Sequence, residues 1–275
     1  MISYGDLFIA LFYKDKNLKM NQKKENIEQE LTDFGYENIS FLEKKRKVED
    51  LFNRISSSYD LMNDLMSGGF HRLWKDLFVK RVSPLPSETV LDLAAGTGDI
   101  SIRLLKASQQ MIHLFISDLS FKMLEIGEKR ILDTGFVKNL NFLVTEAEAL
   151  PFPDCFFDKI TISFGLRNVS HRKEALSEVF RVLKPNGQFF CLEFSHPIFE
   201  SLKKIYKCYS FGVIPHLGQF IAQDKEAYRY LIESIQRFPD QDALLKEFIE
   251  AGLTSCSYEN LLGGIAAIHR GFKIL

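Results

Sequence analysis

The sequence predicts an α/β fold: a doubly wound, mostly parallel sheet flanked by helices. Three observations carry that expectation. Strand-like apolar runs alternate with helical stretches from Glu88 to Phe194. The first of those runs ends in a glycine-rich turn, "DLAAGTGD", that opens directly into a helix. The chain has 275 residues, enough for one large α/β domain with additions.

Residues 1–45 are polar and rich in Lys and Glu, and read as a mobile or loosely helical extension. The domain proper is expected over 46–275. Within it, apolar residues from Val48 to Val82 recur at spacings of three and four, the mark of amphipathic helices, and Gly68-Gly69 divides them into two. This stretch, 46–83, is read as a helical lid. "ETVLDLAAGTGDISIRLLK" is strand, turn and helix; "MIHLFISDLS" is a second strand and "SFKMLEIGEKRILDTG" the helix after it. "NLNFLVTEAEALPF" gives a third strand with a loop, and "FDKITISFGLRN" the fourth. "HRKEALSEVFRVLKPNG" is a helix ending in a Pro-Asn-Gly turn, and "QFFCLEFSHP" the fifth strand. Residues 197–239 break the alternation as an aromatic-rich helical insertion, expected to cover the sheet's C-terminal edge. "DQDALLKEFIEAGL" is an amphipathic helix with Asp240 placed to cap it and Gly252 to stop it. The last two strands flank Gly263-Gly264 as an antiparallel C-terminal hairpin, which brings the sheet to seven strands.

Bulk composition removes several function classes. Lys plus Arg is 35 and Asp plus Glu is 36, which gives no support for nucleic-acid binding. The four cysteines are scattered without a CxxC pair, so a zinc site or disulfide framework is not expected, and a reducing, cytoplasmic setting is. The six histidines show no metal-ligand spacing, and no metal is expected. No apolar run reaches the ~18–20 residues that span a bilayer. The first nineteen residues, with an early Asp6 and no small-residue cleavage site, read as neither a signal nor a transit peptide. Phe is abundant at 25, which fits either a well-filled core or an apolar channel or membrane-facing surface.

The chemistry concentrates at the ends of the predicted strands. Asp92 ends the first strand, and Gly96 and Gly98 bracket Thr97 where the helix begins. Glycines there let backbone approach a ligand closely, although a plain tight turn would use them too. The spacing is not the GxGxxG of nicotinamide sites, and an acidic residue at the turn would oppose a pyrophosphate while suiting a cation. Asp118 closes the second strand roughly twenty residues on, where a carboxylate commonly holds ribose hydroxyls. A surface Asp capping the next helix is the competing reading. Glu146 and Ala147 follow the third strand, where a carboxylate or backbone amide can meet an adenine edge and a small side chain leaves room for it.

These motifs resemble a class I S-adenosylmethionine-dependent methyltransferase, with its Rossmann-like sheet. More specifically, "YDLMNDLMSGGFHRLWK", "AEALPFPDCFFDKITISFGLRNV", "RVLKPNGQFFCLEFSHP" and "GGIAAIHRG" resemble the ubiquinone/menaquinone biosynthesis C-methyltransferases. The resemblance runs from about Thr32 to the C-terminus. It departs at Ala95, where the family often has Gly, at Glu146, where it often has Asn, and at Gly68, where it often has a larger apolar residue. It implies S-adenosylmethionine as cofactor, with contacts at Thr97, Asp118, Glu146, Ala147 and Ser163. It also implies methyl transfer to a ring carbon of a polyprenylated quinol. An O- or N-methyltransferase for another small hydrophobic molecule is the alternative. The isoprenoid tail calls for an apolar groove, which the segment Tyr206 to Tyr230 can supply. That segment can equally serve a homodimer or quinone-biosynthesis complex, or a peripheral contact with the inner face of the cytoplasmic membrane.

Arg167 and Asn168 follow the fourth strand and so should face the crevice at the carboxyl ends of the sheet. An aromatic carbon is a poor nucleophile until a ring hydroxyl ionises. Arginine, with a free pKa above ~12, suits a charge beside that oxyanion better than a base. Asn168 adds an amide donor. The competing reading pairs Arg167 with a nearby carboxylate such as Asp154 or Asp158. Tyr59 begins the "YDLMNDLM" helix, expected to fold over the cofactor, where its hydroxyl can bond the ring or Arg167. Met62, Leu65, Met66 and Trp74 are expected to pack in the core.

Overall fold

The computed structural model describes residues 31–56, 59–212 and 225–274. It opens with an antiparallel hairpin, β1 (Leu31–Phe34) and β2 (Glu37–Ser40), followed by α1 (Phe41–Ile55), α2 (Tyr59–Ser67) and α3 (His71–Val82). The alternating unit then runs β3 (Thr89–Leu93), α4 (Asp99–Ala107), β4 (His113–Asp118), α5 (Phe121–Asp133), β5 (Leu140–Val144), β6 (Phe157–Ser163), a 3-10 turn Leu166–Asn168, α6 (Arg172–Val182) and β7 (Leu183–Phe194). Two helices of the insertion follow, α7 (Glu200–Gly212) and α8 (Lys225–Arg237), then α9 (Gln241–Glu250), β8 (Thr254–Leu261) and β9 (Ala266–Phe272).

Seven strands form one sheet in the order β5-β4-β3-β6-β7-β9-β8. The first five are parallel, and β9 and β8 are antiparallel, as the sequence predicts. Successive residues of a strand point to opposite faces. Val90, Phe190 and Leu192 therefore enter the core on one side, and Leu91, Phe189 and Cys191 the core on the other. A strand buried on both faces has no polar phase, which is why "QFFCLEF" reads as a continuous apolar run. Phe115, Phe152, Phe156 and Phe157 meet edge-on at 4.8–5.5 Å, with Phe152 and Phe156 stacked at 5.9 Å, so much of the Phe content is packing.

The local punctuation acts where expected. Gly68 and Gly69, at φ 59 and 84, separate α2 from α3. The Asp240 carboxylate accepts from Ala243 N at 2.9 Å and starts α9.

Two boundaries differ from the sequence reading. Leu31–Ser40 is the hairpin, and α1 already begins at Phe41, inside the stretch read as a polar extension to residue 45. Residues 1–30 of that stretch lie outside the described residues. The hairpin rests on contacts remote in sequence: the Phe34 ring stacks on Tyr230 at 4.2 Å, and Tyr36 N donates to Glu233 Oε2 at 3.1 Å. Ser40 then caps α1, accepting from Glu43 N at 3.3 Å. At the other boundary, α6 ends at Val182 and the Pro-Asn-Gly lies inside β7. Phe157 pairs with Leu183 but Lys159 pairs with Gln188, so the residues between bulge out of the ladder, where Pro185 has no N–H to offer.

Candidate active site

The chain winds outward from β3 through β4 to β5, then crosses back to β6 on the other side of β3. Such a reversal leaves a crevice beyond the carboxyl ends of the strands. A cavity of about 660 Å³ occupies it. Its floor is made by the ends of β3 and β6, where Ala94 and Phe164 hold left-handed backbone at φ 53 and 55. Each costs about 1–3 kcal/mol. The two sharp bends bring Gly165 so close to Ala94 that a Cβ at Gly165 would stand 2.7 Å from the Ala94 Cβ.

At the ends of β4 and β5, Asp118 and Glu146 line the cavity, with Gly96, Leu119 and Ala147 beside them; Glu49, Glu148, Glu174 and Glu178 line it as well. The Asp118 oxygens accept from Gly96 N and Ser120 N, each at 2.8 Å, and from Leu119 N, which still leaves acceptor capacity on the carboxylate. Burial raises the Asp118 pKa, and the backbone donors offset only part of that. The Glu146 carboxylate is paired with Lys45 of α1.

Four residues singled out from the sequence surround this end without lining it. Asp92 is buried beneath the turn, accepting from Ser101 Oγ at 2.6 Å and Thr161 Oγ1 at 2.9 Å. Burial pushes its carboxyl up to about 6. The Thr97 hydroxyl accepts from Arg130 Nη1 at 2.7 Å. Gly98, at φ 77, packs on α5, where an added Cβ would stand 3.0 Å from Ile131 Cδ1. Ser163 ends β6 with its Oγ buried and without a hydrogen bond among the described residues.

The opposite wall is the 3-10 turn. Asn168 lines the cavity; its Oδ1 accepts from Tyr230 OH at 3.0 Å, and its Nδ2 approaches Phe164 O at 3.4 Å. Arg167 is the main correction to the sequence reading. Its guanidinium does not line the cavity but is buried against Glu193, with Nη1 to Oε1 at 2.6 Å and both side chains 1% exposed. Nη1 also donates to Phe164 O at 2.6 Å, and the Arg167 N donates to Glu193 Oε2 at 3.2 Å. The partner is thus neither Asp154 nor Asp158, which meet Arg181 and Lys184. A cation desolvated this far needs such a carboxylate.

Of the stretch read as the lid, 46–83, the described residues that line the cavity are Val48, Glu49 and Phe52 of α1, which also contributes Phe41, Leu42 and Lys45; Phe41 stacks on His171 at 3.5 Å. None of the described side chains of α2 lines it; Met62, Met66 and Trp74 are core, as expected. Tyr59 begins α2, and its side chain lies outside the described residues. His269 is structural, with Nε2 3.0 Å from Gln241 O.

Sequence reasoning missed Glu193, Tyr230 and Phe34. Glu193 did carry a signal: it is the one charged residue in the apolar run "QFFCLEF". Tyr230 and Phe34 carried none that distinguishes them from core aromatics.

Comparison with known proteins places this geometry in a context. The ubiE/COQ5 methyltransferase family model matches residues 40–273. The ubiquinone/menaquinone biosynthesis C-methyltransferase UbiE of Vibrio cholerae is 46% identical over 259 residues, which cover 94% of this chain and 99% of that protein. UbiE of Coxiella burnetii is 46% identical over 242 residues, covering 88% and 97%. Among solved structures, a Thermotoga maritima S-adenosylmethionine-dependent methyltransferase superposes with a TM-score of 0.59 at 21% identity, covering 82% of this chain and 99% of that one. A Haemonchus contortus N-methyltransferase in complex with S-adenosylhomocysteine gives 0.60 at 12% identity, covering 94% and 74%. At those identities the structures speak for the fold alone.

Proposed function

From its membership of the ubiE/COQ5 methyltransferase family, to which this chain belongs, we propose that it is an S-adenosylmethionine-dependent C-methyltransferase of quinone biosynthesis. Its acceptor is a ring carbon of a polyprenylated quinol: demethylmenaquinol, the 2-methoxy-6-polyprenyl-1,4-benzoquinol precursor of ubiquinone, or both. The observation that carries the reading is one cavity at the strand ends that both the Asp118 carboxylate and the Asn168 carboxamide line.

The residues present fit the cofactor. Asp118 faces the cavity with lone pairs for vicinal ribose hydroxyls, and Ala147 is small where an adenine would lie flat. Gly96 lines the same end with no side chain to obstruct a ligand. Glu146, whose carboxylate Lys45 holds, or the backbone beside it would meet the adenine edge. Asp92, Thr97 and Gly98 act from beneath, by shaping the turn. Ser163 brings an uncommitted hydroxyl to the strand end. S-adenosylmethionine, when bound, supplies a methyl group already activated on a sulfonium.

The protein's remaining task is to make an aromatic carbon nucleophilic. A quinol hydroxyl that gives its proton to water pushes electron density onto the neighbouring ring carbon. Asn168 stands where a side-chain N–H can hold the resulting oxyanion. Arg167 serves from behind, since the carbonyl it holds, Phe164 O, also receives Asn168 Nδ2. Tyr59 keeps the role read for it from the sequence, as a hydrogen-bond partner of the ring or of Arg167. After transfer, the methylated carbon loses its hydrogen as a proton and the ring regains aromaticity. The lid helix excludes water, which strengthens the electrostatics inside.

The acceptor's tail resides in a bilayer, so we infer a peripheral contact with the inner face of the cytoplasmic membrane. Among the described residues no helix is long and apolar enough to cross one. Calorimetry with S-adenosylmethionine and with NAD, followed by turnover on demethylmenaquinol, tests the reading. Binding of NAD alone, or cofactor binding with no methylated quinol, would overturn it.

A further inference from the structure

We propose that Tyr230 is a positioning residue for Asn168: its hydroxyl fixes which end of the Asn168 carboxamide is presented to the acceptor. The inference rests on the reading of Asn168 as the group that holds the quinol oxygen. A carboxamide has an acceptor end and a donor end of nearly equal size, so packing alone does not orient it. Here its two neighbours do. The Tyr230 hydroxyl donates to Oδ1 at 3.0 Å and has no other acceptor among the described residues, so with the amide turned over it could accept from Nδ2 but its own hydrogen would be buried without a partner. At the other end the Phe164 carbonyl, an acceptor only, lies 3.4 Å from Nδ2. Turning the amide over would set its oxygen against that carbonyl. In the orientation observed, the second Nδ2 hydrogen has no partner among the described residues, on a side chain that lines the cavity. An N–H is what an oxyanion needs, and the amide oxygen in its place would repel it.

The Tyr230 ring is suited to hold this setting. It is buried, and burial drives its pKa far above the ordinary phenol value, so the hydroxyl keeps its proton. The missed N-terminal hairpin clamps it. Phe34 stacks on the Tyr230 ring at 4.2 Å and 22°. Tyr36 N donates to Glu233, one turn along α8, at 3.1 Å. Thr32 Oγ1 donates to Ser170 O at 3.3 Å and ties the same hairpin to the loop beyond Asn168. Hairpin, insertion helix and 3-10 turn therefore close a circuit around one amide, and neither Tyr230 nor Phe34 lines the cavity that would hold a cofactor.

Tyr230→Phe in the full chain, saturated with S-adenosylmethionine, removes one oxygen and keeps the ring on Phe34. We expect kcat on demethylmenaquinol to fall about tenfold or more while cofactor affinity stays within about twofold. Asn168→Ala and the Tyr230→Phe/Asn168→Ala double variant should have equal kcat, because without the carboxamide nothing is left to orient. A wild-type kcat in Tyr230→Phe, or a double variant slower than Asn168→Ala by the Tyr230→Phe factor, would overturn the proposal. A second readout is independent of turnover: the Asn168 side-chain amide NMR signals, assigned by their loss in Asn168→Ala, should shift in Tyr230→Phe. Unmoved signals would overturn it as well. If the wild-type chain bound cofactor but methylated no quinol, the substrate reading would fail, and these signals would still decide the role of Tyr230.

Discussion

Replacing Arg167 and Glu193 by methionine, singly and together, separates what the buried pair does for the fold from what it does for the chemistry. Both side chains are 1% exposed and meet at 2.6 Å. In Arg167→Met, the Glu193 carboxylate keeps, among the described residues, only the backbone donors Arg167 N and Phe194 N. Breaking one side of such a pair costs about 3–5 kcal/mol. At roughly 2–4 °C per kcal/mol for a chain near this size, Tm should fall by on the order of 10 °C. Replacing both removes the stranded charge, and apolar replacements of buried pairs are neutral or stabilising by about 1–4 kcal/mol. Against that stands the lost bond from Arg167 Nη1 to Phe164 O, worth about 1.5–3 kcal/mol for a charged donor. The double variant should therefore melt within a few degrees of wild type. Its turnover should not recover: we expect a loss of about a hundredfold or more, the scale of a missing oxyanion donor. Cofactor affinity should stay within a few fold, since neither side chain lines the cavity. Calorimetric melting and single-turnover methyl transfer measure the two effects on the same samples. A single variant that melts with wild type, or a double variant with wild-type turnover, would refute the reasoning.

Other substitutions test the remaining parts of the site. Asp118→Asn should weaken cofactor binding at least about tenfold, or 1.4 kcal/mol, and leave kcat at saturating cofactor little changed, as calorimetry and steady-state kinetics would show. Because burial raises the Asp118 pKa, cofactor affinity should fall with pH above the range of an ordinary carboxylate, and Asp118→Asn should flatten that dependence. Asp92 titrates near 6 when folded against 3.8 for an ordinary Asp, so the folded chain binds the extra proton between those values. Its contribution to stability therefore declines as pH rises from about 4 to about 6, by roughly 3 kcal/mol once ionised. Asp92→Asn should raise Tm at pH 7 and remove that slope from the melting profile. Gly165→Ala places a methyl 2.7 Å from the Ala94 Cβ and should cost about 1–3 kcal/mol in chemical denaturation while weakening cofactor binding.

The sequence shows most clearly what is local or periodic. Parallel strands buried on both faces leave continuous apolar runs, and a cap such as Asp240 or a break such as Gly68-Gly69 acts within a few residues. The candidate site was legible as a place, the ends of β3, β4, β5 and β6, but less so as a set of side-chain directions. Period-two alternation already turns Asp92 away from Leu91 and Leu93, toward Ser101 of α4, so its burial was readable in principle. The partner of Arg167 was not, because Glu193 lies in another strand and only the β6–β7 pairing brings it near. The hairpin Leu31–Ser40 was hidden for the same reason. Its four-residue strands are too short to show a period, and what holds them is Tyr230 and Glu233, far along the chain.

In the proposed function the amide wall of this cavity turns a quinol ring carbon into the methyl acceptor. Incubating the wild-type chain with demethylmenaquinol and S-adenosylmethionine carrying a deuterated methyl group, then locating the label by NMR, tests it most directly. Deuterium is expected in a methyl group bonded to the ring carbon, and its loss is expected in Asn168→Ala with cofactor still bound. A label in a methoxy group, or undiminished ring methylation by Asn168→Ala, would contradict it.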